Sequence, residues 1–415
     1  MGRDRYKKWD TGSNGVFIKS GEKAVLVRWL RARMSNHEIQ HFEPCDPIEE
    51  GIPLDTSAGQ PWKYLGLKKK QEVLDRWDAD TLIECGENRL RTERFMQYEF
   101  CKVEPCKVTK DVRTIVCYPV DVHLALCKWL LPFSTMAKQF KQCKIGWSKW
   151  YNGVNSLRDY LDTGEEGNKF FEMDAKRWDS TIPTDLVELV LGEYFSRFPK
   201  ECLDDELRDS IIAKITSGFV ASSNGEVYWR TCGNSSGNPI TSELNTLVHL
   251  LMFVLSYYRI YGETETFESM VRLGLYGDDV IGSSALLTPD QFIDSISDLP
   301  VKYPKEDVLV QDTIDGLTFL GNKLKLAGHH CIWTPAKPEK MWAGLVNVEK
   351  AAHDSIDHLL DQVCGLCLEY MWDGEHLPTL LMFLEFLKRK ASNDHPFKEW
   401  RLTPEIRYHL TYGLE

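Results

Sequence analysis

The tetrapeptide Tyr276-Gly277-Asp278-Asp279 stands between two short apolar runs, 271–275 and 280–282. Runs this short and this close read as the arms of a β-hairpin, with Gly-Asp at its tip because glycine accepts positive φ there. A hairpin tip holds its side chains rigidly and exposes them, and here they include adjacent carboxylates. The plain alternative is an ordinary turn. Average residue usage yields Gly-Asp-Asp by chance in very roughly one chain in ten of this length, so the turn needs companions before it implies any chemistry.

The first companion is Asp174, which follows the apolar strand candidate 170–173, with Asp179 five residues further on. A strand-end carboxylate beside a hairpin-tip carboxylate is costly unless cations relieve the repulsion. Mg²⁺ takes oxygen ligands, often one or two carboxylates plus substrate phosphates, and two such ions about 3.5–4 Å apart serve phosphoryl transfer. The plain alternative for Asp174 is a helix N-cap. The second companion is Ser236-Gly237-Asn238-Pro239-Ile240-Thr241-Ser242-Glu243-Leu244-Asn245. A small Ser-Gly loop precedes a helix there, and Thr241 and Asn245, four apart, share one of its faces. Asn245 both donates and accepts, so if it meets Asp179 the pair can hold a ribose hydroxyl. The plain alternative is capping with polar decoration.

The chain has 415 residues, 43% hydrophobic and 27% charged, enough for two or three domains or one multi-lobed enzyme. Its net charge of −12 argues against a nucleic-acid partner if the charge is spread evenly. It is not. Residues 101–150 hold nine cations (Lys102, Lys107, Lys110, Arg113, Lys128, Lys138, Lys141, Lys144 and Lys149) against three anions, a local plus six that leaves minus eighteen elsewhere. A solvated basic face is the plain alternative.

Twelve cysteines in a long chain with no secretory signal read as free cytosolic thiols. Cys364 and Cys367, near His353 and His358, lack the second pair a zinc site needs, so a buried helical face is expected. The apolar run 247–255 contains His249 and is too short to span a membrane. Met1-Gly2 is followed by Tyr6, where myristoylation wants Ser or Thr. Elsewhere the pattern predicts helix over 71–100, strand over 114–118, an amphipathic helix over 186–198, a long buried helix over 240–258, a strand pair over 317–326 and mainly helix after about 340. That mixture suggests an α+β core built on one mixed sheet, with helical lobes.

In this order the pieces resemble the palm motifs of positive-strand RNA virus RNA-dependent RNA polymerases. Asp174 with Asp179 resembles motif A, Ser236 to Asn245 motif B, and Tyr276 to Asp279 motif C. Thr56-Ser57-Ala58-Gly59-Gln60-Pro61-Trp62 resembles motif G, the stretch from Lys102 to Arg113 motif F, and Phe319-Leu320-Gly321-Asn322 motif E. Motif D offers both Lys302 and Lys305. Motif F reads Lys110-Asp111-Val112-Arg113 rather than Lys-x-Arg, which leaves Lys107 and Lys110 open for its phosphate contact. Within the picornavirus-like supergroup the chain is most similar to astrovirus-like enzymes, through Ser180-Thr181-Ile182-Pro183, Gly146-Trp147-Ser148 and Asp315-Gly316-Leu317-Thr318-Phe319. Trp178-Asp179-Ser180-Thr181 makes calicivirus-like enzymes second.

The resemblance implies an α+β right-hand polymerase fold whose palm is an antiparallel sheet backed by helices. Fingers would span 1–169, palm 170–198, a fingers insertion 199–229, palm again 230–330 and thumb 331–415. It implies a viral enzyme that replicates and transcribes an RNA genome by template-directed transfer of ribonucleotides to an RNA 3′-hydroxyl, using two divalent metals, Mg²⁺ with Mn²⁺ as substitute. Asp174, Asp278 and Asp279 would hold metal, and Lys305 would act as general acid. Asp179, Ser236, Thr241, Asn245, Lys102, Lys107, Lys110 and Arg113 would bind nucleotide. Thr56, Ser57, Gly59, Pro61 and Gly237 would contact template. Implied partners are template and nascent RNA, ribonucleoside triphosphates, a genome-linked protein primer (from the small thumb) and other viral replication proteins. The expected location is host cytoplasm, at membrane-associated replication complexes, with no transmembrane segment in the chain. A reverse transcriptase is disfavoured by Asp179 with Asn245, and a non-catalytic scaffold by the three intact carboxylates. A two-metal nuclease would not need the Thr241/Asn245 helix.

Overall fold

A computed structural model of the chain describes residues 15–36, 41–102, 113–346 and 355–413. The strands are β1 (Gln97–Cys101), β2 (Thr114–Cys117), β3 (Lys169–Met173), β4 (Gly218–Ser222), β5 (Val227–Arg230), β6 (Val271–Tyr276), β7 (Asp279–Ser284), β8 (Val308–Gln311), β9 (Thr318–Phe319), β10 (Asn322–Ala327) and β11 (His330–Pro335).

In β3 the neighbours Phe170 and Phe171 point to opposite faces, and both are buried. Such a strand needs cover on both sides. It lies inside an antiparallel sheet of order β6-β7-β3-β8. On one face Phe171, Met173, Leu273, Leu275 and Val280 join a large core with the helices Thr184–Phe195 and Thr241–Tyr261. On the other face Phe170 and Ile281 pack with Leu157 and Leu161 of the helix Gly153–Leu161, and with Phe319, Leu324 and Trp333. The last three come from a second sheet, β11-β10-β9. Burying one such Phe contributes about 2–3 kcal/mol against about 1 kcal/mol for a ladder hydrogen bond, so the apolar faces set the register. That register pairs Met173 with Val280 and Tyr276 with Asp279.

The third sheet, β2-β1-β4-β5, joins strands from residues 97–117 to strands from residues 218–230. Among the described residues the expected single mixed sheet is therefore three sheets, and of the pairings between their strands only β1–β4 is parallel. The expected helix over 71–100 is also shorter. Helices occupy Lys70–Leu74 and Ala79–Thr92, the latter closed by Glu93 at φ 56°, and β1 follows. Strand partners on both sides of β1 supply its backbone bonds, and such context overrides local propensity.

After β11 the helices Pro338–Val346, Ile356–Glu369 and Leu377–Lys390 build a separate core around Leu360, Val363, Leu380 and Leu384, while Leu410 of the last helix, Pro404–Tyr412, packs with Leu157 and Trp333. Cys364 and Cys367 lie on its buried face, and the described cysteines are free thiols. Lys149 ties this lobe down, bonding Glu369 and also Asn322 Oδ1 (2.9 Å). Among the described residues no helix is long and apolar enough to cross a membrane.

Candidate active site

Pairing of Tyr276 with Asp279 leaves Gly277-Asp278 as a two-residue loop, with φ of 64° at Gly277. Glycine at the first loop position is what such a hairpin requires. Asp278 sits half-buried at the tip, and Asp279 begins β7. Asp174 directly follows β3, where the register sets it opposite Asp279. Burial pushes the Asp278 carboxyl up to about 7, and the charges of Asp279, Asp179 and Asp174 add to the shift. Asp279 is raised by burial and by Asp174, while Lys337 and Arg113 oppose the rise. Asp279 reaches solvent, yet the protein crowds it enough for these fields to act.

Among the described residues no three His, Cys, Asp or Glu side chains close into a ready-made metal cage. The arrangement is an open edge of mutually repelling carboxylates. Hard oxygen donors with room for further ligands fit Mg²⁺ or Mn²⁺, which complete their shells with phosphate and water, better than a softer metal.

The loop is clamped from behind by the Thr241–Tyr261 helix. Gly277 N–H donates to Thr246 Oγ1 (2.8 Å), and Gly277 C=O lies 3.0 Å from His249 Nδ1. His249 Nε2 lies 2.7 Å from the Tyr303 hydroxyl, and the ring stacks on Trp178 at 4.3 Å. Burial pushes His249 down to about 4, so at neutral pH the imidazole is uncharged. A carbonyl only accepts, so Nδ1 carries the hydrogen and Nε2 accepts from Tyr303. None of Thr246, His249 and Tyr303 was expected at the site. The available signal was a histidine in a buried apolar run, which must find polar partners.

The Ser-Gly loop docks on β2. Ser236 Oγ accepts from Val116 N–H (2.9 Å), and Ser235 Oγ donates to Val116 C=O (3.2 Å). A Cβ on Gly237 would come within 2.5 Å of that carbonyl oxygen. Thr241 Oγ1 lies 2.9 Å from Ser235 C=O and 2.8 Å from Asn238 C=O, a capping arrangement. Asp179 and Asn245 come together, though not through a direct bond. Asn234 bridges them, its N–H on Asp179 C=O (2.8 Å) and its Nδ2 on Asn245 Oδ1 (2.9 Å). Buried Arg230 fixes the approach to this loop by donating to the carbonyls of Thr216, Cys232 and Gly233 (3.1, 3.0 and 3.1 Å).

Lys102 N–H bonds Arg113 C=O (2.8 Å), closing the base of the β1–β2 pair, and Arg113 is exposed. Lys107 and Lys110 lie outside the described residues. Several other cations of the basic stretch serve the fold. Lys128 pairs with Glu87 (2.9 Å), Lys149 with Glu369, and Lys144 donates to Lys141 C=O (2.7 Å). Lys302 donates to the carbonyls of Ser297 (3.1 Å) and Leu299 (3.0 Å). Lys305 is exposed and has no ion-pair partner among the described residues.

In the segment from Pro53 to Gly59, Thr56 Oγ1 donates to Pro53 C=O (2.9 Å), and Ser57 Oγ accepts from Gly59 N–H (3.3 Å). Gly59, at φ 72°, presses on Tyr118 C=O, where a Cβ would come within 2.4 Å. Pro61 borders a cavity of about 1290 Å³ with Tyr64, Arg89, Arg94 and Phe219, and no residue of the carboxylate edge lines it.

One consequence is measurable. The folded pKa of His249, about 4, is below the ordinary 6.5. Between those values the unfolded chain binds a proton that the folded chain refuses. The His249 contribution is therefore complete above pH 6.5 and lost as pH falls towards 4. Asp278, raised in the fold, acts in the opposite sense, so comparison with a variant isolates His249. In urea titrations His249→Gln is expected to lose less stability than the parent between pH 6.5 and 4; equal losses would contradict the buried neutral imidazole.

The sequence profile described as "Viral RNA-dependent RNA polymerase" matches residues 24–376. The chain is similar to the non-structural polyprotein 1AB of Ovine astrovirus 1, with 26% identity over 93% of this chain and 31% of that protein. It is also similar to that of Mink astrovirus 1, with 28% identity over 67% of this chain and 21% of that protein. The genome polyprotein of Pea seed-borne mosaic virus is 30% identical over 64% of this chain and 8% of its own length. The chain thus spans under a third of the length of these polyproteins. Among solved structures, "Sicinivirus 3Dpol RNA dependent RNA polymerase" superposes with a TM-score of 0.71 over 94% of this chain and 84% of that one, at 18% identity, a likeness of fold. The right-hand α+β architecture is therefore that of the polymerases, and a profile covering most of the chain, with astrovirus proteins among its relatives, places this chain in the viral RNA-dependent RNA polymerase family.

Proposed function

We propose that this chain replicates and transcribes a viral RNA genome by adding ribonucleotides, one template base at a time, to an RNA 3′-hydroxyl. The observation that carries the reading is the convergence of Asp174, Asp278 and Asp279 on one edge of the β6-β7-β3-β8 sheet, with the field of Arg113 reaching Asp279. The 3′-hydroxyl oxygen forms a bond to the α-phosphorus of the incoming triphosphate, and pyrophosphate leaves. Asp174 and Asp278 would hold Mg²⁺ or Mn²⁺, with Asp279 assisting. A pair of such ions, when bound, lowers the hydroxyl's pKa and stabilises charge on the attacking and leaving oxygens.

Arg113 offers the triphosphate a bidentate fork, and Lys102, Lys107 and Lys110 add positive charge. Lys305 gives a proton to the departing pyrophosphate, a role to which it is better suited than Lys302, whose ammonium is engaged by two carbonyls. Asp179 and Asn245, held together by Asn234 and flanked by Ser236 and Thr241, read the ribose 2′-hydroxyl. Thr56, Ser57, Gly59, Pro61 and Gly237 guide the template. Residues 1–169 and 199–229 serve as fingers, 170–198 and 230–330 as palm and 331–415 as thumb in this proposal. The genome-linked protein primer, the other viral replication proteins and the membrane-associated complexes of the host cytoplasm belong to it too.

Extension of a primed RNA template with ribonucleotides and Mg²⁺ tests the reading. Asp278→Ala should lower kcat by about a thousandfold, the equivalent of losing several kcal/mol of charge stabilisation, with an unchanged circular dichroism spectrum. Near-parental turnover would remove the carboxylate edge from the chemistry. Asn245→Ala should narrow the preference for ribonucleotides over deoxyribonucleotides by about tenfold, as expected when a hydroxyl-reading site loses a partner. A constant ratio would exclude Asn245 from sugar selection. Efficient primer-independent starts on native template ends would overturn the protein primer.

A further inference from the structure

The β6 edge of the palm sheet borders a cavity of about 250 Å³. Arg33, Lys141, Gln142, Tyr160, Glu268 and Arg272 line it and come from five separate segments. Beside these lies Phe140, and of the seven lining residues three are cations and one is an acid. Glu268 is already engaged, by Arg33 (3.2 Å) and by Gln142 Nε2 (3.3 Å). Lys141 is exposed and has no carboxylate partner among the described residues. Among the described residues, buried Arg272 Nε has no hydrogen-bond partner. Its guanidinium lies 5.9 Å from the Tyr160 ring centre, and Lys144 Nζ lies 4.0 Å from the same ring. A buried charged donor without an acceptor is costly, and this one lies where positive charge already exceeds negative.

We propose that this cavity binds a small phosphate-bearing anion of about the size of pyrophosphate, at a site separate from the carboxylate edge. Guanidinium forks match the paired oxygens of a phosphate. The cavity, about 250 Å³, has room for an anion of this size together with water. The site is wired to the hairpin. Leu275 N–H bonds Gln142 C=O (2.8 Å), and Lys144 N–H bonds Leu275 C=O (2.9 Å). An anion joining Lys141 to Arg272 therefore tightens residues 141–144 against β6, the arm that ends at Gly277-Asp278. This site goes beyond the proposed polymerase reading and does not depend on it.

The test is calorimetric titration of the full chain with sodium pyrophosphate in the absence of divalent cations. Arg272→Gln and Lys141→Gln should each weaken binding by about tenfold, the loss of one charge-assisted contact, while Arg113→Gln leaves it within about twofold. Amide exchange at Leu275 should slow on binding to the parent and not in the variants. Displacement by inorganic phosphate or by a ribonucleoside triphosphate tells a free ion from a nucleotide tail, and both keep the site. Lys141, being exposed, decides the matter if Arg272→Gln does not fold. No binding by the parent, or binding that survives Arg272→Gln and Lys141→Gln but is lost in Arg113→Gln, would overturn the site.

Discussion

The proposed centre depends on how one peptide unit is held. Gly277 is gripped on both sides of its backbone, its N–H by Thr246 and its C=O by His249, and both residues stand on one buried helix. Without that grip a two-residue loop carrying Asp278 could rock on its strands, because the repulsion between neighbouring carboxylates pushes it away from Asp174. The clamp is uncharged, and this matters. A protonated histidine at that depth would pay desolvation, whereas the neutral ring spends its two nitrogens on a carbonyl and a hydroxyl with nothing left over.

The same helix also reaches the other motifs. Through Trp178, stacked on His249, it touches the segment that carries Asp179, and through Asn245 and Asn234 it meets the backbone of Asp179 itself. Tyr303 completes the set from the strap before Lys305. Four stretches of chain far apart in sequence are thereby indexed to one rigid element. Rigidity comes from burial, since every residue from Leu244 to Tyr257 lies inside the core. A sheet covered on both faces supplies the matching surface for it.

Charge is handled by separation. The acidic edge is concentrated at the ends of β3, β6 and β7, while part of the basic stretch of residues 101–150 is spent on structural bonds, with Lys128 and Lys149 holding elements together. Arg113 is different, because it is exposed and its field reaches Asp279. Counting cations along the sequence could not separate these roles, since a lysine paired with Glu369 and an arginine facing a carboxylate look alike until the chain is folded.

The sequence by itself determined the hairpin at Gly277-Asp278, the strand ending at Asp174, the long buried helix and the order of the motifs. These are local matters, settled by glycine's tolerance of positive φ, by runs of apolar residues and by helical spacing. It also made clear which lysines could serve in motif D. Only the tertiary structure decided that Lys302 is tied to carbonyls, that Asn234 stands between Asp179 and Asn245, and that Thr246 and His249 hold the turn. It likewise turned residues 97–101 from expected helix into β1 and divided one expected sheet into three. The reason is the same in each case: a hydrogen bond or a strand partner hundreds or tens of residues away leaves no periodic trace in the sequence, and becomes visible only when folding brings the two ends within 3 Å or so of each other.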